Sequence, residues 1–172
     1  AYGAVQRKGT TDWVVAQLSR RPPKRIDPPL IAALRLGLFE LIFGGGAEHA
    51  AVDQAVELAK GGRDGGPRHR GAGLVNAVLR RAAAEAEGLL GGLGDATPAE
   101  AAIQHSFPEW IADLWFAERG REAAVAMMRA ANEPPRRTFR AVAGSEPPVG
   151  LGSFDSAAEG LPGLQGVPLL EA

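Results

Sequence analysis

Residues 27–43 read DPPLIAALRLGLFELIF, the pattern of a helix that buries one face. Asp27 is of a type preferred at helix N-caps, and Pro28 follows at the first helical position, where its missing N–H costs nothing. Apolar side chains then recur at helical spacing and form one stripe, which consists of Leu30, Leu34, Leu38, Leu41 and Ile42. We expect this segment to be the central helix of the core.

Glycines in this segment predict where another element approaches the helix closely and where the helix ends. Gly37 lies in its interior, where glycine costs about 1 kcal/mol relative to alanine, so we expect another backbone to approach closely there. The GGG at residues 44–46 predicts the end of the helix.

Three more helices are predicted around the central one. Thr10 is the expected N-cap of a helix with the sequence TDWVVAQLS, and residues 49–60 show a broad apolar stripe at helical spacing. A third helix runs from about Gly71 through RRAAAEAEGL and ends at the glycines of LLGGLGD. The basic GGRDGGPRHR between the last two is a predicted loop.

Two capping boxes follow in close succession. Thr97 and Glu100 place a hydroxyl at the N-cap and a glutamate at the third helical position. Ser106 and Glu109 repeat that spacing, so we expect both to have structural roles. Together the boxes predict a short helix and then a longer one, which is interrupted near Gly120 and resumes as EAAVAMMRAAN.

The character of the sequence changes after Asn132. PPRRTFRAV and GVPLLEA are typical of short strands, and PPVGLGSFDSAAEGL between them is expected to form a turn and a small helix. We therefore predict an all-α helical bundle over residues 1–132, followed by a small α/β appendage over residues 133–172.

Composition excludes several classes of protein. With 45% hydrophobic and 23% charged residues among 172, the chain resembles a folded, water-soluble domain and not a disordered chain or a coiled coil. No apolar run approaches the roughly 18 residues of a membrane span, and the start lacks the order of a signal peptide, so we expect a cytoplasmic location. The absence of cysteine excludes disulfides, thiolate metal sites and a cysteine nucleophile within this chain. Ala1 in place of methionine indicates a fragment.

No metal or catalytic site is predicted within the chain. His49, His69 and His105 are far apart in the sequence, and none has a carboxylate or a second histidine at metal-ligand spacing. We expect His105 to be an ordinary residue before the predicted cap at Ser106. The glycine clusters follow helices and not strands, so they are interpreted as helix ends and loops, not as phosphate cradles.

Charge is unevenly distributed along the chain, although the net charge is only −1. Residues 1–81 hold thirteen Lys and Arg against seven Asp and Glu, a balance of +6. Residues 82–172 hold six against thirteen, a balance of −7. A basic first half indicates a polyanionic partner, and a merely solvated basic surface is the alternative.

Residues 68–81, RHRGAGLVNAVLRR, are the main predicted RNA contact. Guanidinium groups pair bidentately with phosphates, and a helix start preceded by a basic loop attracts anions; exposed solubilising charge is the alternative. The predicted contacts are Arg68, Arg70, Arg80 and Arg81. Asn76 lies at the edge of the apolar stripe and is expected to be structural, bonded to the backbone of a neighbouring helix end, and not a base-reading residue.

Other basic and aromatic residues are weaker candidates for RNA contact. Arg7 and Lys8 form one basic pair and are included among the predicted RNA-binding residues; Lys24 and Arg25 form another, and each pair alone is equally compatible with ordinary surface. Three arginines at the start of the appendage are also included, with pairing to the acidic second half as the alternative: Arg136, Arg137 and Arg140. Apolar neighbours at helical spacing favour core packing over base stacking for Trp13, Trp110 and Trp115.

Four motifs occur in the same order and at similar spacing in a known family: LRLGLFELIF (34–43), HAAVDQAVELAK (49–60), GLVNAVLRR (73–81) and HSFPEW (105–110). In these, and in AYGAVQRKGTTDWVVAQL and ANEPPRRTFRAV, the chain resembles the N-terminal part of the Sun or Fmu family of 16S ribosomal RNA cytosine-C5 methyltransferases. Residues 1 to about 90 are also similar to the free-standing transcription antitermination factor NusB. The resemblance implies a NusB-like RNA-binding bundle followed by the incomplete start of a pre-catalytic segment.

The same resemblance implies a division of tasks. In the family a Rossmann-like S-adenosylmethionine domain, with a cysteine that attacks the cytosine ring, lies further along the chain. This sequence ends before that domain and has no cysteine, so we expect no cofactor in this chain, no methyl transfer by it alone, and S-adenosylmethionine as the cofactor of the full-length enzyme. The implied partners are 16S ribosomal RNA and the protein's own catalytic domain, with no membrane.

Two other functions stay open from the sequence. One is an antitermination-type RNA-binding factor, which the tail after HSFPEW disfavours, and the other is a helical domain that mainly packs on its own catalytic domain. The chain also departs from the family: FRAV stands at residues 139–142 where Leu-Arg-Val-Asn is common, Asp53 replaces a frequent asparagine, and a helix that normally precedes AYGAVQRK is absent.

Overall fold

The computed structural model describes residues 2–61, 71–133, 138–140, 152–154 and 169–171. The chain divides into two compact units, Ala1–Asn132 and Glu133–Ala172. The described part of the first unit is helical: α1 Tyr2–Gln6, α2 Lys8–Ser19, a 3₁₀ turn Pro23–Arg25, α3 Pro28–Phe43, α4 Glu48–Ala59, α5 Ala72–Gly91, α6 Pro98–His105 and α7 Glu109–Ala131. The predicted all-α bundle is confirmed, and no helix in the described ranges is long and apolar enough to cross a membrane.

Helix α3 is the centre of the larger core, as its sequence predicts. It starts after Asp27 with proline at its first positions, but the Asp27 side chain makes no capping hydrogen bond. Pro29 has no N–H to offer it, and the N–H groups of Leu30 and Ile31 donate to the Asp27 backbone carbonyl at 2.9 and 3.0 Å. Three of the five stripe residues are fully buried and two, Leu41 and Ile42, are half-buried.

The larger core joins α3 to α2, α4 and α5, and Gly37 lies at a close contact within it. A Cβ on Gly37 would lie 2.6 Å from Leu79 Cδ1 and 2.9 Å from Ala55 Cβ. The expected close approach is therefore present. It comes from side chains of α5 and α4, however, and not from another backbone.

Helices α6 and α7 form a second, smaller cluster. Ala101, Ala112 and Met128 are fully buried in it, and the rings of Phe107 and Trp115 pack at its side with centroids 5.3 Å apart. The Thr97 capping box at the start of α6 is confirmed, with both of its hydrogen bonds present. Helix α7 is interrupted where predicted, because Gly120 has φ 76° and ψ 164°, a backbone conformation that few residues with a side chain adopt.

Two predicted helix starts are wrong. Helix α2 begins at Lys8, so Thr10 lies inside it and not at its N-cap. Ser106 and Glu109 form no capping box, because α7 begins after Pro108 and Ser106 ends α6 in the left-handed conformation, with φ 60°. The physical reason is Pro108, whose ring disfavours a helical conformation at the preceding residue and so delays the helix.

The tryptophan predictions are only partly right. Trp13 and Trp115 are half-buried and pack against the two cores. Trp110 was expected in the core, but 67% of its surface is exposed. It occupies the first turn of α7 on the side away from Ala112, which is the side chain that α7 buries there.

The second unit contains a small antiparallel sheet in its described residues. Strands β1 Thr138–Arg140, β2 Gly152–Phe154 and β3 Leu169–Glu171 are arranged in the order β1-β3-β2, so β3 pairs with both of the others. In this register Leu170 lies opposite both Phe139 and Ser153. Strands were predicted in the first and last of these segments, but Gly152–Phe154 was expected to be a turn. The small helix expected after it lies outside the described residues.

Candidate nucleic-acid interface

The predicted RNA-binding residues are only partly covered by the structure. Four of them lie outside the described residues: Arg68, Arg70, Arg136 and Arg137. Arg140 is described only as the last residue of strand β1. The remaining four belong to the helical unit and occupy two places, Arg7 and Lys8 at the corner between α1 and α2, and Arg80 and Arg81 on α5.

Arg80 is exposed and is oriented by Asn76. Its Nε donates to Asn76 Oδ1 at 3.1 Å, one helical turn away on α5. Asn76 is half-buried at the edge of the apolar stripe, as expected, but its partner is this arginine and not the backbone of a neighbouring helix end. The Arg80 guanidinium has no carboxylate partner among the described residues, so its charge is available to an anion.

Arg81, the next residue, connects α5 to α2. Its Nη1 donates to the backbone carbonyl of Leu18 in the last turn of α2 at 2.7 Å. Its Nε and Nη2 donate to the two carboxylate oxygens of Glu85 at 3.1 and 2.9 Å. These hydrogen bonds, which Arg81 donates to Glu85, raise the pKa of Arg81 and lower the pKa of Glu85. The charge of Arg81 is therefore neutralised by Glu85, and its guanidinium stabilises the contact between α5 and α2.

Arg7 and Lys8 are neighbours in sequence with different surroundings. Arg7 is half-buried, and its guanidinium carbon lies 4.7 Å from the centroid of the Phe43 ring at the end of α3. This burial lowers the pKa of the Arg7 guanidinium. Lys8 is exposed at the first position of α2 and has no ion pair among the described residues. Lys8 is thus the freer of the two charges for an external anion.

A hydrogen-bonded junction that the sequence does not predict joins the start of α2 to the end of α6. The Thr10 N–H donates to Ser106 Oγ at 2.9 Å, and the Thr10 hydroxyl donates to the Ile103 carbonyl at 2.7 Å. The two hydroxyl oxygens are 2.5 Å apart. Gly9 permits this approach, because a Cβ there would lie 3.1 Å from Ser106 Cα. The Ser106 hydroxyl thus accepts from the Thr10 N–H. This N–H lies in the first turn of α2, where backbone N–H groups have no acceptor within their own helix.

The end of α7 is held at the same junction. Gln6 Nε2 donates to the Ala131 carbonyl at 2.9 Å, and Asn132 Nδ2 donates to the His105 carbonyl at 2.8 Å. His105 was expected to be an ordinary residue, but it is buried, with only 8% exposed, and its Nε2 has no partner among the described residues. Burial, and then the positive charge of Arg129, lower its pKa.

Cations on α7 are neutralised by a loop carboxylate. Asp95 accepts from Arg121 Nη2 at 2.5 Å and from Arg129 Nη2 at 2.9 Å. The Arg121 hydrogen bond lowers the pKa of Asp95. No group of three or more histidine or acidic residues within the described ranges could hold a metal ion.

A basic turn between α2 and α3 contains cations that the sequence reasoning undervalued. Arg20, Arg21, Lys24 and Arg25 are all exposed, and none has an ion pair in the described part of the chain. The sequence reasoning considered only Lys24 and Arg25, as a basic pair equally compatible with ordinary surface. The signal was the stretch RRPPKR at residues 20–25, four cations in six positions without an acidic residue.

The chain is similar in sequence to several known proteins. Residues 1–84 match the NusB family. The chain is 35% identical to a protein of Mycobacterium tuberculosis whose name describes it as a methyltransferase, over 66% of this chain and 25% of that protein. It is 32% identical to ribosomal RNA small subunit methyltransferase B of Pseudomonas putida, over 64% of this chain and 24% of that protein. A Synechocystis protein named for the same methyltransferase is 30% identical, over 81% of this chain and 30% of its own length.

The matched relatives are much longer than this chain, which spans about a quarter of the length of the first of them. No solved structure matches the chain significantly.

Proposed function

We propose that the helical unit, whose residues 1–84 match the NusB family, is an RNA-binding domain that holds small-subunit ribosomal RNA for methylation by another part of a longer protein. The observation that carries the proposal is the combination of this domain with relatives named as ribosomal RNA small subunit methyltransferases. The charges of Arg80, Lys8 and the basic turn, which are exposed and have no carboxylate partner among the described residues, supply phosphate contacts.

The finer parts of the proposal concern the reaction. The target is a cytosine in 16S ribosomal RNA, methylated at C5, with S-adenosylmethionine as the methyl donor. That donor supplies the methyl group and is bound by residues outside this chain, which has no cysteine to attack the ring. The contribution of the helical unit is to bind and orient the RNA backbone.

Arg81 and Arg7 support this function mainly through the fold. The Arg81 guanidinium is committed to Leu18 and Glu85, and the Arg7 guanidinium is stacked on Phe43. Arg80 and Lys8 are exposed and have no acidic partner in the described residues. We therefore expect Arg80 and Lys8 to contribute more to RNA affinity than their neighbours.

A salt titration tests the proposal. The dissociation constant for a transcript of 16S ribosomal RNA is measured between about 50 and 200 mM salt, where phosphate contacts should weaken binding steeply. Arg80→Gln should weaken binding and flatten the salt dependence, whereas Arg119→Gln, which removes an exposed cation from α7, should change neither. Absence of binding, or binding that is indifferent to salt, would contradict RNA binding through phosphates.

A second candidate function has one observation in its favour. Trp110 and Leu114 are exposed at successive turns of α7 and give an apolar surface that the helical core does not cover. A domain that packs on its own catalytic domain would use such a surface. In the longer protein, Trp110→Ala would then weaken association between the two domains while leaving RNA binding by this chain unchanged.

A further inference from the structure

We propose that the basic turn at residues 20–25 is a preformed binding site for the sugar-phosphate backbone of RNA. This inference rests on the proposed function and adds a binding surface that the predicted set of RNA contacts lacks. Its residues are Arg20, Arg21, Lys24 and Arg25.

The turn has a fixed conformation. The Arg21 N–H donates to Ser19 Oγ at 3.1 Å, and the Ser19 hydroxyl donates to the Arg21 carbonyl at 3.2 Å. The next segment is the 3₁₀ turn Pro23–Arg25, which follows Pro22, and the Arg25 N–H donates to the Pro22 carbonyl at 2.9 Å. Proline restricts the backbone further by fixing its φ angle.

The end of the turn is anchored in the core. Ile26 is 6% exposed, and its N–H donates to the Pro23 carbonyl at 3.1 Å. Arg20, at the other end, closes α2 in the left-handed conformation with φ 54°. The backbone is thus held at both ends while its charged side chains are exposed, so binding an anion requires little ordering of the backbone.

Within the described residues these four charges have no acidic partner, whereas five other cations do. Arg35 pairs with Asp12, and Lys60 pairs with Glu57. Arg81, Arg121 and Arg129 also have carboxylate partners. Asp27, the nearest acidic residue along the chain after the turn, makes no ion pair with it. Four like charges held in one rigid turn repel one another, and a polyanion offsets that repulsion.

The start of the turn lies close to α5. Arg81 Nη1 contacts the Leu18 carbonyl, which lies only two residues before Arg20. The start of the turn and the arginine pair of α5 therefore belong to one region of the helical unit. RNA that contacts Arg80 can extend its backbone along the turn.

The chemistry of the turn favours phosphate over a base or a carboxylate ligand. Three of its four cations are arginines, whose guanidinium groups bind phosphate oxygens bidentately. The turn has no aromatic side chain for stacking and no amide for reading base edges. We expect it to contribute affinity without sequence preference.

Neutral substitutions in the chain test the inference. Lys24→Gln is compared with Arg119→Gln, which removes one exposed cation from α7, and the triple variant Arg21→Gln/Lys24→Gln/Arg25→Gln amplifies the effect. The dissociation constant for a 16S ribosomal RNA transcript is measured against salt, and circular dichroism verifies the fold of each variant. Each lost phosphate contact should reduce the slope of log Kd against log salt by roughly 0.7 to 0.9, so the triple variant should lose about 2.

The possible results distinguish failure of the binding site in the turn from failure of the proposed RNA-binding function. Equal slopes for the triple variant and the wild type, with a reduced slope for Arg80→Gln, would overturn the turn as a binding site and leave the proposed function standing. No RNA binding by the wild type would overturn both. Lys24→Gln should also weaken binding to an unrelated RNA of the same length by the same factor, and an effect confined to the 16S transcript would contradict a backbone contact. A preference for polyglutamate over RNA, lost in the triple variant, would assign the turn to an acidic protein partner instead.

Discussion

Ser106 combines a strained backbone with a hydroxyl that contacts both the N–H and the hydroxyl of Thr10. A left-handed conformation costs a non-glycine residue roughly 1–2 kcal/mol, so glycine would be favoured there on backbone grounds. The Ser106 hydroxyl compensates, because Thr10 is 1% exposed and its N–H has no other acceptor in the described residues. The side chain at this position thus stabilises the contact between α2 and α6.

Ser106→Ala should therefore destabilise the protein more than Ser106→Gly. Both variants leave the buried Thr10 N–H without its acceptor, at a cost of about 1–3 kcal/mol, but glycine also relieves the strain of the left-handed backbone. Urea unfolding, followed by circular dichroism, gives the two free energies. Equal stability of the alanine variant and the wild type would show that the hydroxyl contact contributes nothing.

His105 should make stability depend on pH on the acidic side of neutrality. Burial, with Arg129, places its folded-state pKa below the ordinary value of about 6.5, so the unfolded state takes up the proton first. This contribution to stability is fully present above the unfolded pKa and is lost as pH falls toward the lower folded pKa. The free energy of unfolding should drop more between pH 7.5 and 5.5 in the wild type than in His105→Gln. An equal drop in the two proteins would contradict the assignment to His105.

At the scale of a helix, a glycine is informative only through its surroundings. Gly37 in α3 and Gly88 in α5 are both helical, and propensity alone would favour alanine at each by about 1 kcal/mol. Around Gly88 there is open space, whereas Gly37 faces Leu79 and Ala55. Leu79 is fully buried and Ala55 Cβ is attached directly to the backbone of α4, so neither atom can move away cheaply.

Gly37→Ala should thus destabilise the protein, whereas Gly88→Ala should stabilise it. Overpacking costs typically 1–3 kcal/mol, which exceeds the gain in helix propensity, and only that gain applies at Gly88. Thermal unfolding of the two variants measures the difference. A rise in melting temperature for Gly37→Ala would mean that the three helices can separate slightly without loss.

Helices with strong local signals could be predicted from the sequence. The apolar stripe of α3, the glycines that end α5 and the Thr97 capping box act within one or two turns of chain, so each prediction was right to within a residue or two. The hydrogen bond between Thr10 and Ser106 could not be predicted, because the two residues are 96 positions apart and no local pattern reveals such a contact. Trp110 was wrongly assigned to the core because an exposed tryptophan has the same local sequence as a buried one.

Pairing of charges is equally hidden in a sequence. Arg80 and Arg81 are adjacent and look identical, yet one is free of carboxylates among the described residues and the other is bound to Glu85 and Leu18. RRPPKR could have been recognised from composition alone, since no acidic residue interrupts it. Its rigidity could not, because this depends on Ile26 reaching the core.

Over the whole molecule, the uneven charge of the two halves corresponds to different environments for the cations. In the first half, the four cations of the turn, Lys8 and Arg80 are exposed without acidic partners in the described ranges. In the second half, Arg121 and Arg129 are both bound to Asp95. The polyanion-binding capacity of the helical unit is therefore expected in its first half, which includes the residues that match the NusB family.

Deletion of residues 133–172 should leave the helical unit folded. Both hydrophobic clusters and the junction at Ser106 consist of residues before 133, and the chain divides into compact units at that point. The melting temperature of the shortened chain should equal that of the full chain to within the roughly 4 °C that 1 kcal/mol produces in a domain of this size. A larger fall would show that the second unit stabilises the first.

RNA binding by the same shortened chain tests the predicted arginines of the appendage. If Arg136, Arg137 and Arg140 contact phosphates, the deletion should lower the slope of log Kd against log salt by about 2. The full chain with all three changed to Gln is the matched control, because it removes the same charges and keeps the rest of the appendage. An equal loss in the two proteins would assign the contribution to these charges, since nothing else would be missing from both. A loss in the shortened chain alone would mean that the appendage binds RNA through other groups, and no loss in either would restrict the interface to the helical unit.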